Sequence, residues 1–224
     1  MMNLGCQCGR AQRSKRINGG SETEINEYPW MAYVATRHGT MCGLNQCVMQ
    51  SMCGGSLISD RWVVTAAHCA QVQSSNDIHV DLGQHDLYSA TEAVLVRKRV
   101  SEIHIHPEYD VNSNSHDLAL LKLADPIDFT AHSHVRPICL PTETKSYAGY
   151  LATVSGWGRT SPTAGTSRVL LEADVTILSN KQCKALGIPS PYIFDSMICA
   201  NGDDEEEGVC MGDSGIFCLK FKVI

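Results

Sequence analysis

The chain has 224 residues, 43% of them hydrophobic and 19% charged, which is the balance of a globular protein and excludes a disordered one. A net charge of −6 offers no electrostatic footprint for nucleic acid or anionic lipid, and no unbroken apolar run approaches the roughly eighteen residues of a membrane span. Eleven cysteines are too many for a reduced cytosolic chain and point to an oxidising, secreted setting.

In chain order, the opening "MMNLGCQCGR" has no apolar signal-peptide core, so the secreted reading requires a leader outside this sequence. The runs "GSLISDRWVVTAA", "IHVDLGQ", "AVLVRKRVSEIHI", "LALLKLADPI" and "LATVSGWG" are short, apolar or alternating, and broken at close intervals by Gly, Asn, Asp, Ser and Pro. That pattern predicts an all-β barrel or sandwich. One short helix is expected in "SNKQCKALG", capped by Ser179 or Asn180 and ended by Gly187. The long, weakly patterned stretch "ADPIDFTAHSHVRPICLP" reads as a crossing between two barrels. The run Asp203 to Glu207 must be solvated, because five neighbouring carboxylates cannot share a core.

Three motifs carry chemistry. A serine that attacks an amide needs a base to take its proton, a group to orient that base, and donors where the oxyanion develops. The sequence offers "TAAHC" around His68, "HDLALLKL" around Asp117 and "GDSG" around Ser214, in one of the known orders for this constellation. His68 follows the apolar run "RWVV", and Asp117 opens another. Gly212 has no side chain to stop the backbone N–H groups of Gly212 and Ser214 converging on one oxygen. His116, beside Asp117, reads as a surface loop residue. The i, i+2 pairs His104/His106 and His132/His134 could chelate a metal from a strand, but no C-x-x-C pair accompanies them and no metal site is expected.

With "NEYPWMAYV", "CGGSLISDRWVVTAAHC", "HPEYD", "HDLALLKL", "VRPICLP", "SGWGRT" and "GDSG" in register, the chain resembles the chymotrypsin-fold, trypsin-like serine endopeptidases, of arthropod type, from about Cys8 to Gly215. The resemblance implies two antiparallel six-stranded β-barrels, with His68 as general acid/base, Asp117 as its orienter and Ser214 as nucleophile. Gly212 and Ser214 supply the oxyanion hole. It divides the chain into an activation peptide (1–16), a first barrel (17–125), an inter-barrel crossing (126–142) and a second barrel (143–224). Cleavage after Arg16 would free the Ile17 ammonium to pair with Asp213, a buried ion pair that works as a switch.

The family pattern pairs Cys53 with Cys69, Cys183 with Cys199 and Cys8 with Cys139. Cys42 and Cys47 would close a local loop, leaving Cys6, Cys210 and Cys218. At the floor of the specificity pocket stands Gly208, where a trypsin-like pocket would hold an aspartate. A neutral floor implies a preference for apolar side chains. Gln84 stands where the family's calcium loop usually has a carboxylate, and Glu92 alone does not restore that site. No cofactor is implied. The partners implied are protein or peptide substrates, an activating protease and protein inhibitors, with no nucleic acid or membrane.

After Gly215 the match fails: "IFCLKFKVI" replaces the family's continuation, so the second barrel is expected to be truncated and incomplete. The alternative is therefore a non-catalytic homologue, a secreted binding or regulatory module, or an inactive truncated product. The intact triad argues against it, since a binding module has no use for all three groups.

Overall fold

The structure is a computed structural model and describes residues 8–12, 21–36, 51–72, 74–89, 95–142, 145–159, 165–186 and 193–202. Among the described residues the regular elements are ten strands, one short α-helix and two single-turn 3-10 segments (His68–Ala70 and Ser75–Asp77): β1 (Ser21–Glu22), β2 (Met31–Thr36), β3 (Ser51–Leu57), β4 (Trp62–Thr65), β5 (Ile78–Leu82), β6 (Val96–Ile105), β7 (Ala119–Leu123), β8 (Leu151–Gly156), β9 (Leu171–Leu178), α1 (Asn180–Ala185) and β10 (Cys199–Gly202). The fold is all-β, as the short broken runs predicted.

Six strands close into a barrel in the order β2-β3-β4-β7-β6-β5, every pairing antiparallel. The sequence dictates which face points inward. In β7, Ala119, Leu121 and Leu123 are buried while Leu120 and Lys122 are half-buried, the period-2 signature of a strand with one core face. β6 carries a register shift between Val100 and Glu102, which lets it pair with β5 on one side and β7 on the other and bend the sheet closed. Closure leaves no free strand edge. Val34, Leu57, Val63, Ile78, Val80, Leu82, Leu121 and Leu123 fill the interior. Gly55 marks a close approach: a Cβ there would fall 3.0 Å from Val63 Cγ1 and from the Val64 carbonyl.

The second unit is, among the described residues, a four-stranded antiparallel sheet centred on β9. β8 runs along one side of β9, while β1 and β10 share the other. Ser179 caps α1 with a full capping box, its hydroxyl meeting the Gln182 N–H while the Gln182 side chain accepts from the Ser179 N–H. The stretch between the two units lies on the barrel, with Ile127 N–H donating to Asp60 O, Arg136 N–H to Pro29 O and Ile138 N–H to Leu57 O.

One dipeptide clasps barrel to sheet. The His85 carbonyl accepts from Trp157 Nε1–H at 2.8 Å and from Leu170 N–H at 3.1 Å. The next residue, Asp86, takes the Arg168 guanidinium side-on, with Nε 2.8 Å from both carboxylate oxygens. Three disulfides join described cysteines: Cys8–Cys139, Cys53–Cys69 and Cys183–Cys199.

Candidate active site

β4 ends at Thr65, whose hydroxyl donates to the Gly54 carbonyl across the sheet at 2.7 Å. The chain then tightens into a single 3-10 turn, His68–Ala70, held by Cys69 N–H to Ala66 O and Ala70 N–H to Ala67 O. The Cys53–Cys69 disulfide ties this turn back to β3. Small buried residues before the turn (Ala66, Ala67) let it fold flat against the barrel, and His68 faces outward with a side chain 39% exposed.

Asp117 arrives from the other side, two residues before β7. The loop that delivers it is built around Asp110, whose carboxylate accepts from Asn112 N–H at 3.0 Å and Ser113 Oγ–H at 2.7 Å. Those donors hold the Asp110 carboxyl below its ordinary value. Asn114 and His116 both take left-handed backbone, φ 53° and 54°, which turns the chain back toward the barrel. Tyr109 lies half-buried beneath; burial, then the charges of Asp117 and Asp110, push its phenol up.

The two side chains meet. Asp117 Oδ1 accepts from the His68 backbone N–H at 2.9 Å, and Oδ2 lies 2.6 Å from Nδ1. A carboxylate only accepts, so Nδ1 is the donor in this contact, and in the neutral ring the lone pair belongs to Nε2. The ring is fixed in orientation, with Nε2 turned away from Asp117 and 3.4 Å from Cys69 Sγ. That is the arrangement a general base needs.

The other histidines considered from the sequence make contacts of their own. His104 Nε2 sits 3.0 Å from Glu102, and His132 meets His134 edge-on. His106 stacks on His116 at 4.8 Å between ring centroids, so His116 has a packed ring rather than a bare loop position. Its Nδ1 is also 2.9 Å from Ser115 Oγ. Gln84 turns its amide to donate to the Asp86 carbonyl at 2.6 Å, and Asp86 is committed to Arg168. A donor N–H and an already paired carboxylate do not fit a calcium ion, which takes oxygen ligands. Ser214, Gly212, Asp213, Gly208, Arg16 and Ile17 lie outside the described residues, as do Asp203 to Glu207, Glu92, Cys6, Cys42, Cys47, Cys210 and Cys218.

Sequence reading did not single out Asp110, Tyr109 or Thr65. The cluster "DVNSNS", dense in residues that bond their own backbone, was the available signal for Asp110.

The family model for trypsin matches residues 17–216. The chain belongs to the trypsin family of serine proteases. Among similar trypsin-family proteins is serine proteinase stubble of Drosophila melanogaster, 33% identical over 216 residues, which cover 93% of this chain and 27% of stubble. Venom serine protease Bi-VSP of Bombus ignitus is 33% identical over 217 residues, covering 93% of this chain and 58% of that protein. The solved structure of GrC superposes with a TM-score of 0.73 at 29% identity, covering 90% of this chain and 84% of GrC. The chain thus spans less than two thirds of the length of these two curated relatives.

Proposed function

We propose that this trypsin-family chain is a secreted serine endopeptidase, made as a zymogen and switched on by cleavage after Arg16. The observation that carries this reading is the His68–Asp117 contact, in which Nδ1 faces the carboxylate and Nε2 is turned away from it. In the reaction, His68 Nε2 takes the Ser214 hydroxyl proton as Oγ attacks the scissile carbonyl. Asp117 stabilises the imidazolium that forms and does not itself take the proton. The N–H groups of Gly212 and Ser214 donate to the developing oxyanion. His68 then gives its proton to the leaving amine, and water repeats the sequence on the acyl-enzyme. The free Ile17 ammonium pairs with Asp213 to order the donors. The division into light chain (1–16), first barrel (17–125), crossing (126–142) and second barrel (143–224) belongs to the same proposal.

Secretion is supported by the three disulfides among described residues, which persist in oxidising compartments. No helix among the described residues is long and apolar enough to cross a membrane. Cys8–Cys139 would retain the light chain after cleavage. With Gly208 at the pocket floor, the preferred residue before the scissile bond is apolar.

The test is labelling by a serine-directed fluorophosphonate before and after limited trypsin treatment, with N-terminal sequencing. Label on Ser214 should appear together with the Ile17 terminus, and be lost in Ser214→Ala and His68→Ala. Labelling that survives Ser214→Ala, or activity that arises without an Ile17 terminus, would defeat the proposal. On peptide substrates, kcat/KM should be higher for Phe or Leu than for Arg; the reverse order overturns the pocket assignment.

A further inference from the structure

Asp117 is the middle residue of a three-residue turn, closed by Leu118 N–H to the His116 carbonyl at 2.7 Å. The two flanking residues set where a side chain at such an apex points. Both flanks lead to His106. Its backbone N–H donates to the Leu118 carbonyl at 2.9 Å, and its ring stacks on that of His116 with 16° between the planes. His106 is itself pinned: its carbonyl accepts from Tyr109 N–H at 3.0 Å, and its Nδ1 from Glu108 N–H at 3.2 Å.

The His116 backbone stands in the left-handed region, at φ 54°, which residues with a Cβ disfavour. Contacts of the ring offset that strain. Besides the stack, Nδ1 lies 2.9 Å from Ser115 Oγ and Nε2 3.6 Å from Glu108 Oε2, and the side chain is only half-exposed. The carboxylate this turn carries has to meet both the backbone N–H and the Nδ1 of His68, so it tolerates little rotation.

We propose that His106 and His116 are a positioning pair, whose stack fixes the turn that aims Asp117 at His68. The pair is also sensitive to protons. A protonated Nδ1 has no lone pair, so a proton there costs His106 its bond from Glu108 N–H. A first proton is accommodated on His116, which faces the Glu108 carboxylate; a second sets two like charges ring to ring. The other charged groups described around the pair are Asp117 and Asp110 on the same loop, while His104 on β6 is engaged with Glu102 at 3.0 Å. Acid therefore opens the stack and frees the turn. The effect on rate rests on the protease reading, whereas the aim of Asp117 does not.

The test begins with proton NMR of the full chain, in which the His68 Nδ1–H resonance reports the hydrogen bond to Asp117 without any catalysis. In wild type it should be sharp and far downfield at neutral pH. His116→Asn keeps a residue that tolerates left-handed backbone but removes the stack. It should broaden that resonance by exchange with water and, after cleavage at Arg16, lower kcat about tenfold at unchanged KM, less than the roughly hundredfold that a full 1 Å displacement costs. His106→Ala removes the same stack from the other side and should act alike. His106→Phe keeps a flat ring that takes no proton, and should leave resonance and kcat near wild type. On the acid side, log kcat/KM should fall with a slope of about two in wild type and about one in His106→Phe. An unchanged resonance and kcat in a folded His116→Asn or His106→Ala would overturn the pair, and a wild-type slope of one would overturn its sensitivity to protons. If wild type is never labelled at Ser214, the protease reading falls and the resonance still decides whether the stack aims Asp117.

Discussion

Replacing Asp117 with asparagine tests the dyad without changing its shape. Asp117 holds His68 at two points, the backbone N–H at 2.9 Å and ring Nδ1 at 2.6 Å. The backbone N–H can only donate, so it keeps the asparagine carbonyl oxygen. The new NH2 group must then face Nδ1. Two donors cannot face each other, so the imidazole moves its proton to Nε2 and presents Nδ1 as acceptor. A ring protonated at Nε2 cannot act as base toward Ser214. Loss of one charge-assisted hydrogen bond alone would be worth about 1.5–3 kcal/mol, or roughly 10- to 150-fold in rate. Loss of the correct tautomer is far larger: about 10^4-fold in kcat, a value carried over from the general Ser-His-Asp template. The two explanations therefore separate by about two orders of magnitude. The assay is kcat on an ester substrate after cleavage at Arg16, at matched protein concentration and with near-UV circular dichroism as the check on folding. A fall smaller than about a hundredfold in a folded variant would refute the tautomer argument.

Two further outcomes follow from the clasp and the tether. The Arg168 guanidinium hydrogen-bonded to Asp86 lowers that carboxyl from 3.8 to about 2, so its stabilisation is present above the unfolded value and is lost as pH falls through that interval. Urea midpoints of wild type and Arg168→Gln should differ at neutral pH and converge between about pH 4 and pH 2; a gap that stays constant into acid removes the Asp86–Arg168 pair as its cause. Gly9 sits at φ 67° with a built Cβ only 2.9 Å from Cys139 Sγ, so Gly9→Ala should cost about 1–2 kcal/mol from the left-handed backbone and lower Tm by a few degrees. An unchanged Tm would mean that the segment shifts at no cost.

How much of this could be read in advance varies by element. β4 to β8 were legible because each is a short run with a buried face and a turn residue at its end, as in "RWVV" and "ALLKL". β9 escaped. Its buried positions do not alternate: Glu172, only 8% exposed and accepting from the Tyr28 hydroxyl, lies on the face opposite to buried Val175 and Ile177, so the run shows no clean period of two. Asp174 similarly takes the Thr153 hydroxyl at 2.7 Å. The candidate site was legible at His68 and Asp117 because the motifs around them resemble those of the family, not because of any periodicity. What joins the two units was not. "QHDLY" reads as a weakened calcium loop, and nothing local reveals that Asp86 binds an arginine 82 residues later. Pairings of that span come from the packing of two units, and a single sequence does not print them.

That packing bears directly on catalysis. The dyad comes wholly from the first barrel: β3 and β4 hold the His68 turn, and the loop before β7 delivers Asp117. The proposed nucleophile follows β10 in the chain, and β10 belongs to the other sheet. In the proposed mechanism, His68 and Ser214 would meet only as well as the two units are registered against each other. A misplacement of about 1 Å between reacting groups can cost about a hundredfold in rate. Among the described groups that set the register are the His85 carbonyl, shared by Trp157 and Leu170, the Leu87 N–H bond to the Arg168 carbonyl, and the Asp86–Arg168 pair. None of them touches the dyad. The carbonyl does not titrate, so its two hydrogen bonds do not themselves depend on pH, whereas the ion pair weakens in acid. Of the bonds in this clasp, the backbone and indole ones are insensitive to pH and the carboxylate is the part that yields. The clasp is where barrel packing and the chemistry of His68 become a single problem.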